Sequence, residues 1–353
     1  MAETTNGSQL FLVERDWSHG DVIYSIRLQS STSVAPSVHP VARWSWEHKF
    51  SAFAVCGSSI IGIIDGQDTI IHDTVTHAST PGPRLRGFKR EPAMLPVGDD
   101  MVIVMDTILR SASSAAFCVE ALRRVPGGGG WRTDDSIPEA PFFTEDDLLD
   151  EEEEEEDDLD EDDACRYCIS AYFTMGTRAW ISVSDRGTFS LDTERGAWRM
   201  EGSWELPLQG RAFFVQELGS SVVIGLGVAG DGINHQHVCA LDVVEAQPPV
   251  VRHVCQFPTA GRSGHDDVVP PPPGAVLSLA YLSDARFCVS WPIFVELSKV
   301  RGTSFKGKAT SFTLLEFKCL PRDKLQVVDR GKPQVHVWPL GHCGNAYFLQ
   351  PAV

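Results

Sequence analysis

Between residues 169 and 207 the chain reads ISAYFTM (169–175), RAWISVS (178–184), GTFSLDT (187–193) and AWRMEGSWELP (197–207). Each run is short and rich in β-branched and aromatic residues, which is strand chemistry. The joints are two or three residues long and carry Gly or charged side chains. Joints so short connect only antiparallel neighbours. The stretch therefore predicts one four-stranded antiparallel meander, the unit of a propeller blade.

The plan repeats downstream in RAFFVQEL (211–218), SSVVIGLGV (220–228), HVCALDVV (237–244) and VVRHVCQF (250–257). A third copy follows in VLSLAYL (276–282), RFCVSWPIFVEL (286–297), ATSFTLLEF (309–317) and LQVVDRG (325–331), with a longer insertion around 300–309. Upstream, residues 53–85, 94–110 and 115–124 keep a similar rhythm, and FLVERDW with DVIYSIRL opens a first unit. Recurrence at this spacing is the mark of a repeat architecture, and helical spacing of apolar residues is nearly absent. The expectation is all-β: a single β-propeller over residues 9–353 with about six four-stranded blades, five or seven being open. Residues 1–8 are expected to be disordered. FLVERD (11–16) and AYFLQP (346–351) are short apolar strands at the two ends of the chain, and pairing them would close the ring and remove two exposed edges. The alternative architecture is two β-sandwiches divided at an acidic run.

That run is the chain's most extreme feature. From Glu145 to Asp163 there are 16 carboxylates and no Lys or Arg. Like charges at this density repel one another, so a disordered insertion is expected at about 143–164. GRSGHDDVVPPPPG (261–274) and PGGGGWRTDD (126–135) read as further loops. Of the 48 acidic residues, 32 remain outside the run against 30 basic ones, so the net charge of −18 belongs to the run and not to the body. No global field favours nucleic acid or an anionic membrane.

Nine cysteines, an odd number, are scattered through apolar runs such as AFCVEAL and RFCVSW. They read as buried thiols of a reducing compartment. The N-terminal MAETTNGSQLFLVERD lacks a basic segment followed by an apolar one, and no 18 consecutive apolar residues occur. The expected location is cytoplasm or nucleus, without secretion.

The string DRGTFSLDTERGAWRMEGSWELPLQGRAFFV (185–215), followed by CALDV and VVRHV, resembles a plant family, expanded in grasses, of kelch-like or F-box-associated propellers of uncharacterised function. The resemblance extends over roughly residues 50–320 and is specific in 185–215. It implies that Asp192 and Trp198 occupy the later part of a kelch blade core, and Trp204 is taken with them. The Gly-Gly pair of kelch blades is missing, and no Leu- and Pro-rich helical F-box precedes the repeats.

Several motifs imitate catalytic signatures. GLGVAG (225–230) fits G-x-G-x-x-G, but AGDGINHQH follows where a dinucleotide fold needs a helix N-terminus, so a strand and hairpin loop are expected. GTSFKGKAT (302–310) has the Gly302, Gly307 and Lys308 of a P-loop, yet Ala309 stands where magnesium needs a hydroxyl, and a solvated basic loop is expected. Cys165 and Cys168 with His235 and His237 lack the two close ligand pairs of structural zinc. Neither cofactor nor metal is expected.

The reading that results is a non-catalytic, monomeric scaffold that binds a protein partner through its loops. Candidate contacts are Glu151, Glu152, Glu153, Glu154, Glu155, Glu156, Asp157 and Asp158, which suit a basic partner, together with His235 and His237. Asp192, Trp198 and Trp204 are expected to serve packing. The rivals are a ligase substrate receptor whose F-box comes from a partner, and a propeller hydrolase or oxidase with its site at the channel mouth.

Overall fold

The computed structural model describes residues 10–16, 20–27, 37–44, 50–109, 117–143, 167–228, 236–255, 277–300, 303–321, 324–330, 333–338 and 347–349. Among them the chain is all-β, with a single 3-10 turn at Gln216–Leu218. None of its helices is long and apolar enough to cross a membrane. The chain divides into two compact units, one of residues 1–48, 215–241 and 251–350 and one of residues 49–214, 242–250 and 351–353.

The second unit begins with β4 (Phe50–Cys56), β5 (Ser59–Ile64), β6 (Asp68–Asp73) and β7 (Ser79–Pro81), a four-stranded antiparallel sheet in chain order. Next come β8 (Pro92–Val97), β9 (Met101–Asp106), the two-residue β10 (Ile108–Leu109), β11 (Val119–Arg124) and β12 (Trp131–Thr133). Of these, β8, β9, β11 and β12 form a second four-stranded sheet. A third meander is β13 (Tyr167–Met175), β14 (Arg178–Val183), β15 (Gly187–Asp192) and β16 (Ala197–Gly202), followed by β17 (Gln209–Phe214). This third group is the stretch that opened the sequence reading, with boundaries within a few residues of those expected.

Burial explains why these runs are strands. The second strand of each meander, SIIGII in β5, MVIVMD in β9 and RAWISV in β14, is buried at nearly every position, and a continuous apolar run suits such a strand. Outermost strands are wet: β7 is exposed throughout, and in β16 only Glu201 is buried. First strands stand side by side. β4 packs against β8, β8 against β13, and β13 pairs with β17 in parallel through Ala171↔Gly210 and Tyr172↔Arg211. Four-stranded meanders placed face to face, with first strands adjacent, are blades of the β-propeller class. One apolar cluster between neighbouring blades joins Leu95, Ile103, Met105, Ile169, Ile181 and Leu191, and another joins Ala54, Ile61, Ile63, Val102, Val104 and Leu122.

In the other unit, β1 (Leu10–Asp16), β2 (Gly20–Arg27), β3 (Ser37–Trp44) and β26 (Tyr347–Leu349) form one sheet in the order β26-β1-β2-β3. The expected pairing of the terminal strands is present as Phe11↔Leu349, Leu12↔Phe348 and Val13↔Tyr347. Also here are β18 (Val222–Val228), β19 (Gln236–Asp242) and β20 (Val250–Cys255), and then β21 (Ser278–Ser283), β22 (Arg286–Val300), β23 (Thr303–Leu320), β24 (Lys324–Arg330) and β25 (Gln334–Val337). β21 packs against β26, and Leu10, Leu12, Ile26, Ala280, Cys288 and Phe312 share a core. In chain order the described strands fall into six groups, which agrees with the expectation of about six.

Two local readings need correction. AWRMEGSWELP leaves the sheet at Gly202, five residues early, because the Trp204 indole folds back over that glycine and leaves no room for a Cβ. The basic loop expected at 302–310 is strand from Thr303 onward: β22 and β23 continue as one hairpin to Val300↔Thr303. Val295, Val300, Thr303 and Phe305 give the sequence strand propensity there. The expected disordered N-terminus, the acidic insertion and the Pro-rich loop lie outside the described residues.

Candidate interaction surface

The connection from β7 to β8, GPRLRGFKRE (82–91), is tied down from beneath. Its anchor is Lys89, whose side chain is fully buried and donates to Glu120 Oε1 at 2.6 Å, Phe117 O at 2.7 Å and Gly87 O at 3.0 Å. Glu120, on β11, also accepts the backbone N–H groups of Arg86 at 2.8 Å and Gly87 at 2.9 Å. Every donor of the ammonium and both carboxylate oxygens are thus answered inside the protein, as burial of an ion pair demands. Burial by itself would raise the Glu120 carboxyl, but the Lys89 ammonium and the two N–H groups outweigh it and hold the group below the usual carboxylate range.

With its underside fixed, the loop turns aromatic and cationic groups outward. Phe88 is 58% exposed, and Phe117, which closes over Gly87, is 38% exposed. The Arg86 guanidinium sits 4.9 Å from the centroid of the Phe117 ring and pairs with the exposed Asp135 at 3.4 Å. Gly66, in the β5–β6 turn at φ +73°, lies directly beneath the Phe88 ring and the Lys89 carbonyl. Any side chain there would strike both.

Phe143 and Tyr167, the described residues that flank the acidic run, lie in the same unit and meet. Phe142 is buried against Phe189 and Trp198, with centroids at 5.2 and 5.5 Å. Phe143 meets Tyr167 edge to face at 5.6 Å. Arg186 lies over the Tyr167 ring at 4.2 Å and donates to its hydroxyl. Glu151 to Asp158 themselves lie outside the described residues, as does His235. His237 is half-buried on β19, and its ring fills the space over Gly227, where a Cβ would clash. The second glycine of the G-x-G-x-x-G imitation thus makes room for a neighbouring strand's imidazole.

Asp192 closes β15 and caps the turn after it, accepting the N–H groups of Glu194 at 3.2 Å and Arg195 at 3.0 Å. Trp198 is half-buried, packs on the core between blades and donates its Nε1–H to Pro138 O at 3.0 Å. Trp204, also half-buried, accepts Thr188 Oγ1–H on its carbonyl at 2.8 Å. Beside them is a network with no sequence signature. Glu201, its side chain fully buried, accepts Ser190 Oγ–H and Arg199 Nη2–H at 2.6 Å, Arg199 Nε–H at 2.9 Å and the Ala246 N–H at 2.9 Å. Burial opposes ionisation here too, but these donors prevail and the carboxyl lies below its usual range.

A polar cavity of about 610 Å³ opens where the β8–β9, β13–β14 and β15–β16 turns converge, lined by Asp100, Arg123, Arg132, Asp134, Thr177 and Glu194 among others. Arg123 is committed there, donating to Asp134 Oδ2 at 2.6 Å. Among the described residues no group of three His, Cys, Asp or Glu side chains is placed to hold a metal. The described cysteines are free, five of them buried, and burial pushes the Cys56 and Cys118 thiols up to about 12.

No curated protein matches the sequence. Among solved structures, a Bacteroides fragilis protein described as a candidate 6-phosphogluconolactonase aligns over 96% of this chain and 100% of its own, at 9% identity and TM-score 0.47. The computationally designed protein Ika8 aligns over 93% and 80%, at 10% identity and TM-score 0.40. The β-propeller domain of Myceliophteria thermophila Cps50 (Swd1) aligns over 92% and 86%, at 10% identity and TM-score 0.40. Likeness of this order says nothing of activity. A family model described as "Protein of unknown function (DUF1668)" matches residues 25–335.

Proposed function

Because the chain belongs to the DUF1668 family, whose description assigns no activity, its role has to be read from its own surface, and we propose that it is a non-catalytic scaffold binding a protein partner through loops of its second unit. The observation that carries the proposal is the exposure of Phe88, on a loop whose underside is fixed by the buried Lys89–Glu120 pair, and of Phe117, whose carbonyl Lys89 holds. Rigid aromatic rings beside an arginine lose little conformational entropy on docking, and such groups dominate the energetics of protein interfaces.

The proposal takes in the finer expectations as well: a kelch-like, F-box-associated plant protein, monomeric, at work in the cytoplasm or nucleus. The acidic residues Glu151 to Asp158 add long-range attraction for a partner with a basic face, strongest at low salt.

Affinity purification of the wild-type chain beside the double variant Phe88→Ala/Phe117→Ala tests the idea. Both rings are partly exposed, so the variant is expected to fold with an unchanged circular dichroism spectrum and to lose a defined set of co-purifying proteins. An F-box protein within that set would support the ligase-receptor form of the reading. A partner set identical for the two proteins would refute the surface.

A further inference from the structure

β8 runs from the 82–91 loop to the tight turn at Gly98–Asp100, and the polar cavity of about 610 Å³ opens at that far end. It is therefore separate from the surface that carries Phe88 and Phe117. Most of its lining is charged or hydroxylated, with Val97 and Met101 the apolar exceptions. A cavity of this size suits a small molecule, and this lining suits a hydrophilic one.

Strand register explains how charge gathers there. β11 and β12 set Arg123 directly opposite Arg132, so two guanidinium groups share one side of the ribbon. Like charges so placed repel unless anions offset them. Arg123 is answered from within: it donates to Asp134 Oδ2 at 2.6 Å, and the Asp134 side chain, 5% exposed, also accepts the Ser136 N–H at 3.1 Å and Oγ–H at 2.7 Å. Asp100 lies 3.5 Å from Arg123 and is 58% exposed, a loose contact of little strength that leaves its carboxylate within reach of a ligand. The β15–β16 turn contributes Glu194, whose side chain is exposed while its N–H is held by Asp192 Oδ1 at 3.2 Å. With Arg123 and Asp134 offsetting each other, the lining offers a ligand one positive group, Arg132, and two negative groups, Asp100 and Glu194.

We infer that this cavity is a binding site for a free basic amino acid, whose carboxylate meets Arg132 while its α-ammonium and side-chain cation meet Asp100 and Glu194. One anion and two cations match the lining charge for charge. A guanidinium recognises a carboxylate through paired N–H donors, which fixes the orientation of the ligand as well as its affinity. The chain's net charge of −18 draws a cationic ligand toward the protein and opposes an anionic one. Inorganic phosphate or an acidic amino acid would add negative charge where the lining already has a surplus.

Isothermal titration calorimetry on the full chain is the test, with L-arginine as probe. Three analogues each delete one charge: agmatine lacks the carboxylate, Nα-acetylarginine the ammonium and citrulline the side-chain cation. Each is expected to bind about tenfold more weakly than L-arginine, the loss of one ion pair. In Arg132→Gln, arginine and agmatine should bind alike; in Glu194→Gln, arginine should bind no better than one of the two analogues that lack a cation. Phe88→Ala/Phe117→Ala should bind arginine as the wild-type chain does, which separates this site from the loop surface above. Arg132 and Glu194 are both exposed, so their variants are expected to fold. Should either fail to fold, the analogue series on the wild-type chain still decides. No binding of arginine, equal affinity for arginine and agmatine, or tighter binding of L-glutamate or inorganic phosphate would overturn the inference.

Discussion

Two buried carboxylates of the second unit, Glu120 and Glu201, meet the same problem with different partners. Both have side chains essentially closed to solvent, and both recruit backbone N–H groups from another segment, Glu120 from residues 86–87 and Glu201 from Ala246. Their cations differ. Lys89 is itself buried, so its three donors must all find acceptors inside, and they do. Arg199 is 40% exposed and keeps part of its guanidinium in water. The first arrangement fixes a loop in one conformation, because no solvent can substitute for a lost partner. The second fastens an outer strand to a neighbouring segment while tolerating adjustment. A buried pair therefore marks the place where the molecule needs a rigid surface, and that place carries Phe88 and Phe117.

Breaking the dry pair should have the largest effect. Lys89→Met leaves Glu120 buried opposite an apolar chain and should destabilise the protein by about 3–5 kcal/mol in chemical denaturation. The double variant Lys89→Met/Glu120→Gln should recover part of that loss, since no charge is then stranded; failure to recover any would mean that loop packing, not charge, sets the cost. Glu201→Ala should cost less, about 2–3 kcal/mol, because Arg199 can turn to water while Ser190 and the Ala246 N–H lose their acceptor. A cost equal to that of Lys89→Met would erase the distinction. Acid should produce the mildest effect. Both carboxyls are depressed in the folded state, so the stability they add is complete above their ordinary value of 4.5 and is lost as pH falls below it through the folded values. Unfolding curves between about pH 5 and 3 should accordingly fall less steeply for Glu201→Ala than for wild type.

Much of the architecture could be read from residues alone, and the reason is local. In 167–202 each strand is an uninterrupted apolar or β-branched run stopped by a turn that chain chemistry specifies, such as Met175-Gly176-Thr177. The terminal pairing was legible because FLVERD and AYFLQP are short apolar strands, and β1, with β2 on one side, has its other side open to such a partner. The length of the β22–β23 hairpin was not legible. Gly307 and the lysines on either side of it look like a loop, and cross-strand register, which only the fold supplies, makes them strand. The Lys89–Glu120 pair was hidden in the opposite sense: in GFKRE a lysine flanked by charge reads as solvated, and its partner lies 31 residues away. Long-range pairing of polar groups leaves no periodic trace, whereas burial of apolar faces does.

The sheet β26-β1-β2-β3 has one further consequence, for the order of events during synthesis. β1 leaves the ribosome more than three hundred residues before its neighbour Phe348. The nascent chain must carry an unsatisfied apolar edge while that stretch is made, and the core around Leu10 and Leu12 is completed only when β26 emerges.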